Sequence, residues 1–270
     1  MDNEVKEENI GIFSELGYRQ YVCPSVSGFS RLVNELDMSF NNIGRMIRSG
    51  RKHKAEGVLN TDWGDSGHIN LTACSVPGMI YGAALSWNPD DSDGYEETDR
   101  KISILEFGES SGRLVGLVRE LCRQDKIIWN VIAFWRDEKV YGKYVGKGTK
   151  AAFEGCEAAA LAEAVRKADE ITDRLLAVSN SVPGRCKQDM EEFHLSARGV
   201  ALMQALSLVI KKFELKEEIP ELPYEPCKLA EILEYWFYDF AGVWRRRNKE
   251  AELYRIKEAI MQICDILRNY

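Results

Sequence analysis

The chain changes character near residue 95, and that change limits what it can fold into. Before it, short apolar strands alternate with helical stripes; after it, almost every segment reads as helix. Tyr18 to Pro24 has the pattern of a strand stopped by a proline, and the small polar run Ser25-Val26-Ser27-Gly28 follows. Asn41 to Gly50 places Ile43, Met46 and Ile47 on one short helical stripe closed by a glycine. Val58 to Thr61 is a second strand. Val76 to Trp87, with Gly78, Gly82, Ala83 and Ala84, is a helix suited to close packing. Two such units cannot close a parallel barrel, which takes eight. They leave strand edges exposed and a core on one side only.

Beyond the turn-rich, acidic linker Asn88 to Gly94, Ile102 to Cys122 holds one or two helices. Thr149 to Val178, rich in Ala, Glu, Lys and Leu, predicts one long helix. Met190 to Phe213 repeats apolar residues at Leu202, Ala205, Leu206, Val209 and Ile210, and Pro220, Pro223 and Pro226 make the next segment extended. Leu229 to Leu267 closes the chain on a stripe through Leu233, Trp236, Phe237, Phe240 and Trp244, then Leu253, Ile256, Ile260, Ile263 and Leu267. The expected division is a β/α unit over 1–95 and a helical domain over 96–270. Asp90, Asp91 and Asp93 are close enough to suggest a calcium loop. The twelfth position of that template, which should be Glu, is Lys101, so a solvated linker is expected.

The net charge of −7 argues against a nucleic-acid partner, even with the local cluster Arg245-Arg246-Arg247. No unbroken apolar run of membrane-spanning length is present, and the start, Met1 to Glu8, is acidic and lacks an apolar signal core. Cysteines 23, 74, 122, 156, 186, 227 and 264 are scattered without C-x-x-C spacing, as suits packing in a reducing cytoplasm. The expectation is a cytoplasmic protein without cofactor or bound metal.

Chemistry concentrates in Gly57 to His68, where the second strand stops and at once presents Asp62, Trp63, Asp65 and His68. Ligands of α/β architectures bind at the carboxyl ends of strands. An exposed indole can stack on the apolar face of a sugar ring while a carboxylate accepts a hydroxyl. Blander readings stand beside this one. Trp63 could be a core aromatic, the aspartates could cap the following turn, and His68 could hydrogen-bond a helix start. Asp62, Asp65 and His68 also have the donor types of a metal site, as a metal-dependent hydrolase would need.

The tract Asn60 to His68, followed by Ser75-Val76-Pro77-Gly78 and Tyr81 to Asn88, resembles the last strand and helix of family-20 glycoside hydrolases. More narrowly, it looks like a bacterial β-N-acetylhexosaminidase-like branch in which the strand reads T-D-W-G-D-x-G-H. Tyr21 to Pro24 is similar to the preceding strand of that branch. Trp244, Arg247, Asn248 and Leu253 resemble its W-x-x-R-N-x-x-x-x-L closing helix. The resemblance implies the last two β/α units of an incomplete TIM-type barrel followed by a mainly helical domain. It implies substrate-binding roles for Trp63 as floor of a sugar pocket, Asp65 where the family usually has Glu, Asp62 orienting the loop and His68 at the rim. The partner it implies is an N-acetylhexosamine-containing sugar. The Asp-Glu pair these enzymes use has no counterpart before residue 58, and Asp137-Glu138 and Asp169-Glu170 sit in helical patterns. In a helix, adjacent side chains diverge by about 100°. The chain is therefore expected to be inactive alone, associating with a separate barrel-bearing chain or with itself. A helical interaction or scaffold protein is the alternative.

Overall fold

In the computed structural model, which describes residues 7–64, 68–90, 93–142, 148–219 and 221–270, the protein is mainly α. It is 68% helical, and its only sheet among those residues is one pair of parallel strands, β1 (Tyr21–Val22) and β2 (Gly57–Val58). The expectation of the last two β/α units of a TIM-type barrel is therefore overturned. Each strand holds two ladder residues, and Pro24 then removes a backbone donor, so the ladder continues only as an isolated bridge between Ser25 and Thr61. The apolar runs around both strands were long enough to suggest more.

Helix formation wins elsewhere. Helix α1 is Glu7–Glu15, and α2, Leu36–Lys52, lies between the strands. Glu35 caps α2 by accepting from the Met38 amide at 2.7 Å. Helix α3 (Thr72–Trp87) packs on α2, and Gly78 makes the approach possible. A Cβ there would lie 2.9 Å from the Val26 side chain and 3.0 Å from Ser39 Oγ. Helices α4 (Tyr95–Leu105), α5 (Leu114–Cys122) and α6 (Trp129–Tyr141) follow, the last stopped by left-handed Gly142. The long helix expected over Thr149 to Val178 is two, α7 (Gly148–Glu154) and α8 (Ala158–Ser179), broken after Gly155, a poor helix former. Helices α9 (Lys187–Phe213), α10 (Pro226–Trp244) and α11 (Leu253–Leu267) complete the chain.

Helix α9 is the axis of the body: it touches α3, α5, α6, α7, α8 and α10. Its second half, Gly199 to Lys211, is buried on every side, which is why its apolar residues do not form a single stripe. By length and composition Gly184–Phe213 could span a membrane, yet 89% of its apolar 18-residue window is buried among its neighbours. One apolar core runs from Val26 to Leu267, so the strand-bearing segment and the later helices share it.

A buried cation fastens the first segment to α5. Arg119 donates to Asp99 at 2.6 and 2.8 Å and to Asp37 at 2.6 Å, with its guanidinium over the Phe40 and Tyr95 rings. Burial opposes its charge, but the two carboxylates hold its pKa above the ordinary value. Removing one member of such a set leaves the others uncompensated, which costs about 3–5 kcal/mol.

Candidate functional site

The carboxyl ends of β1 and β2 are stitched together before the chain turns away. The Thr61 amide donates to the Pro24 carbonyl at 2.8 Å, and the Val26 amide donates to the Thr61 carbonyl at 2.9 Å. Two residues of the next loop, Ser27 and Ser30, adopt left-handed backbone conformations uncommon outside glycine. Neighbours hold them there. The Ser27 amide donates to Ser25 Oγ, and the Ser27 and Ser30 carbonyls accept from the Glu35 and Asn130 amides. Gly28 lies between them, where a Cβ would come within 2.9 Å of Asn34 Nδ2 and 3.0 Å of Asp62 Oδ1. The loop thus closes against Asp62, and a larger residue at 28 would have to displace the Asn34 or Asp62 side chain.

Beneath it runs a buried amide network. Asn34 Nδ2 donates to the Val26 carbonyl at 2.9 Å and to Ser75 Oγ at 3.2 Å, while Asn34 Oδ1 accepts from Asn70 Nδ2 at 2.9 Å. This ties the loop after β1 to the start of α3. Satisfied buried polar networks of this kind fix one geometry.

The site residues expected from the sequence fall as follows. Trp63 is 54% exposed, so it is not a core aromatic. Its Nε1 donates to Thr61 Oγ1 at 2.8 Å, and that hydroxyl donates its own proton to the Pro24 carbonyl at 2.7 Å. The indole edge is anchored while ring surface stays open to solvent. Asp62 is exposed beside it. His68 is half-buried and meets Trp244 edge-to-face, with ring centroids 6.5 Å apart. Asp65 lies outside the described residues.

The two motif-bearing segments, far apart in sequence, converge here. Besides the His68–Trp244 contact, Arg247 pairs with Asp189 at 2.7 Å and with Glu192 at 3.3 Å. Glu192 Oε2 in turn accepts from the Ala73 amide at the start of α3, at 2.7 Å. Burial raises the Glu192 carboxyl, and the Ala73 amide and Arg247 oppose that shift. Sequence reasoning missed Glu192, Asn34 and Asn70.

Other candidates resolve into structural roles. Asp137 pairs with Arg136 on α6, and Glu170 pairs with Arg166 on α8. In the linker, Asp90 pairs with Arg51 and Asp93 with Lys101, so those carboxylates already face cations; Asp91 lies outside the described residues. Among the described residues, no three His, Cys, Asp or Glu side chains gather as a metal site. Arg245 and Arg246 pair with Glu250 and Glu191 on the helix surface. Trp236, Phe237, Phe240 and Trp244 are buried core. All seven cysteines are unpaired, and burial pushes the Cys74, Cys122 and Cys264 thiols up to about 12.

The arrangement offers an open aromatic face, a solvent-facing carboxylate beside it and a rigid loop behind. No protein-family model and no curated protein matches the chain.

Proposed function

We propose that the strand-end tract forms one wall of a binding site for an N-acetylhexosamine-containing sugar, as the glycoside hydrolase resemblance of its motifs implies. The observation that carries this reading is Trp63: a half-exposed indole whose nitrogen is held by Thr61, leaving its face for an apolar ring surface. Asp62 supplies an acceptor for a hydroxyl at the edge of that platform, and Asp65 belongs to the same tract. Gly28 and the loop it anchors set how closely a ring can approach. Hydrolysis as the resemblance implies it is the substrate-assisted exception to two-carboxylate catalysis: a Glu protonates the leaving oxygen and an adjacent Asp orients the substrate's own acetamido group as nucleophile. Asp137-Glu138 and Asp169-Glu170 lie on helices and do not provide that pair. The chain binds sugar in this reading and does not cleave it unaided; a separate chain would supply the acids.

The test is a titration of the purified chain with N-acetylglucosamine, followed by tryptophan fluorescence and by ligand-observed NMR. Binding that Trp63→Ala abolishes supports the proposal. Binding indifferent to that substitution, or none with the wild type, overturns it. Release of chromophore from a chromogenic N-acetylglucosaminide would refute the statement that the chain is catalytically incomplete.

A further inference from the structure

Helices α8 and α10 flank one stripe of α9 and leave an open hollow of about 490 Å³ along it. Volumes of roughly 300–1,000 Å³, mostly apolar with a few placed polar groups, are typical of small-molecule sites. Its floor is Leu175, Met190, Leu195 and Val243, all buried, while Leu176 and Tyr238 stand exposed on the α8 and α10 rims. Gly242 on α10 opens onto the same space: a Cβ there would meet nothing within 4 Å. Packing therefore does not require a glycine at 242, and a helix interior disfavours one. Its effect is to widen the hollow.

Charge along the rim decides what fits. Both lining carboxylates already face arginines, Glu191 with Arg246 and Asp239 with Arg198. Lys187 has no hydrogen bond or ion pair with any described residue. The formal charge left unanswered among the lining residues is therefore positive, and it sits at one end. From Lys187 to Arg198, α9 rises roughly 16 Å. Lys187 also begins α9, where the helix dipole favours an anion. At the far end Asp169 and Asp173 of α8 act on Arg198 and His194, which disfavours an anion there. Burial, reinforced by Arg198 and opposed by Asp173, holds the His194 pKa below its ordinary value, so near neutral pH that ring is uncharged.

We propose that this hollow binds a fatty-acid-like molecule, its carboxylate at Lys187 and its alkyl chain along the apolar floor toward Arg198. A long open floor suits a flexible chain, and one unanswered cation at its end suits one anionic head. The site is independent of the sugar reading, because α8, α9 and the end of α10 line it and the tract Gly57 to His68 does not.

Calorimetric titration of the full chain with straight-chain carboxylates from hexanoate to dodecanoate, below their micelle-forming concentrations, tests it. Affinity should rise roughly two- to fourfold per added methylene. Lys187→Gln should weaken dodecanoate binding roughly three- to tenfold, and Gly242→Leu, which fills the hollow, should abolish it. Helical circular dichroism of Gly242→Leu should match the wild type, since leucine is the better helix former and a Cβ at 242 meets no neighbour. Trp63→Ala should bind dodecanoate unchanged, which separates this test from the sugar titration. No dodecanoate binding at millimolar concentration overturns the proposal, as does binding indifferent to either Lys187→Gln or Gly242→Leu. A flat chain-length series overturns it, and so does equal affinity for decyltrimethylammonium and decanoate.

Discussion

Trp63 and Trp236 show how differently one chain can use the same side chain. Trp236 is fully buried, donates from Nε1 to the Leu195 carbonyl at 3.0 Å, and packs against Phe240 with the rings tilted by 35°. It sits against α9 so closely that a Cβ on Gly199 would fall 2.7 Å from its ring. Trp63 has a hydrogen bond of similar quality but keeps more than half its surface in water. Both indole nitrogens are satisfied; what differs is whether the ring faces are covered. In the helical body the indole serves packing, whereas at the strand ends the same anchoring leaves a surface for something else to cover.

The largest expected effect lies on the packed side. Trp236→Ala removes a ring from a filled interior together with its hydrogen bond to the Leu195 carbonyl, a loss of about 3–5 kcal/mol. Urea unfolding followed by circular dichroism measures it. A loss below about 1 kcal/mol would mean that α9 and α10 are not jammed around this ring, and the contrast with Trp63 would collapse.

Two aspartates extend the contrast to charge. Asp62 is exposed at the strand ends, whereas Asp125 is buried just beyond α5. Burial pushes the Asp125 carboxyl up from 3.8 to about 7; Arg31, at 3.6 Å, opposes the shift without cancelling it. A folded pKa above the unfolded one means the folded state holds the proton more tightly. The stabilisation is then fully present below 3.8 and is lost as pH rises through about 7. Stability in urea should therefore fall across that window, by roughly 1.4 kcal/mol per unit at most. Asp125→Asn should flatten this part of the profile. An unchanged slope in Asp125→Asn would place the proton elsewhere.

Much of the helical body was legible because its evidence is local. The stripe through Leu233, Trp236, Phe237, Phe240 and Trp244 can be read from one helical turn to the next, and it became the buried face of α10. The strands were located but overextended. β-branched and aromatic residues around 18–24 and 58–61 carry strand propensity, yet a ladder also needs neighbours, and among the described residues each strand found only one. The break at Gly155 was visible as a glycine, but the helix-forming residues around it outweighed it. The site was half legible. Gly57 to His68 announced itself by residue type, whereas the supports beneath it come from far away. The bond from Ala73 to Glu192 spans 119 positions, and no local pattern announces such a pairing. Asp125 gave no signal at all, since its burial follows from helix packing.

The smallest stability effect is expected at Trp63, and there the null result is informative. Trp63→Ala removes an exposed ring and one side-chain hydrogen bond to Thr61, while the backbone bonds of Thr61 to Pro24 and Val26 remain. The hydroxyl of Thr61 still donates to the Pro24 carbonyl, so no buried donor is stranded. Substitutions of this kind shift stability by about 0.5 kcal/mol or less. Urea unfolding of Trp63→Ala beside Trp236→Ala checks this under one set of conditions. If Trp63→Ala costs as much as Trp236→Ala, the indole is a structural pin for the strand ends and the binding role loses its support. A small cost combined with lost sugar binding would mean that the open face of Trp63 is kept for a ligand.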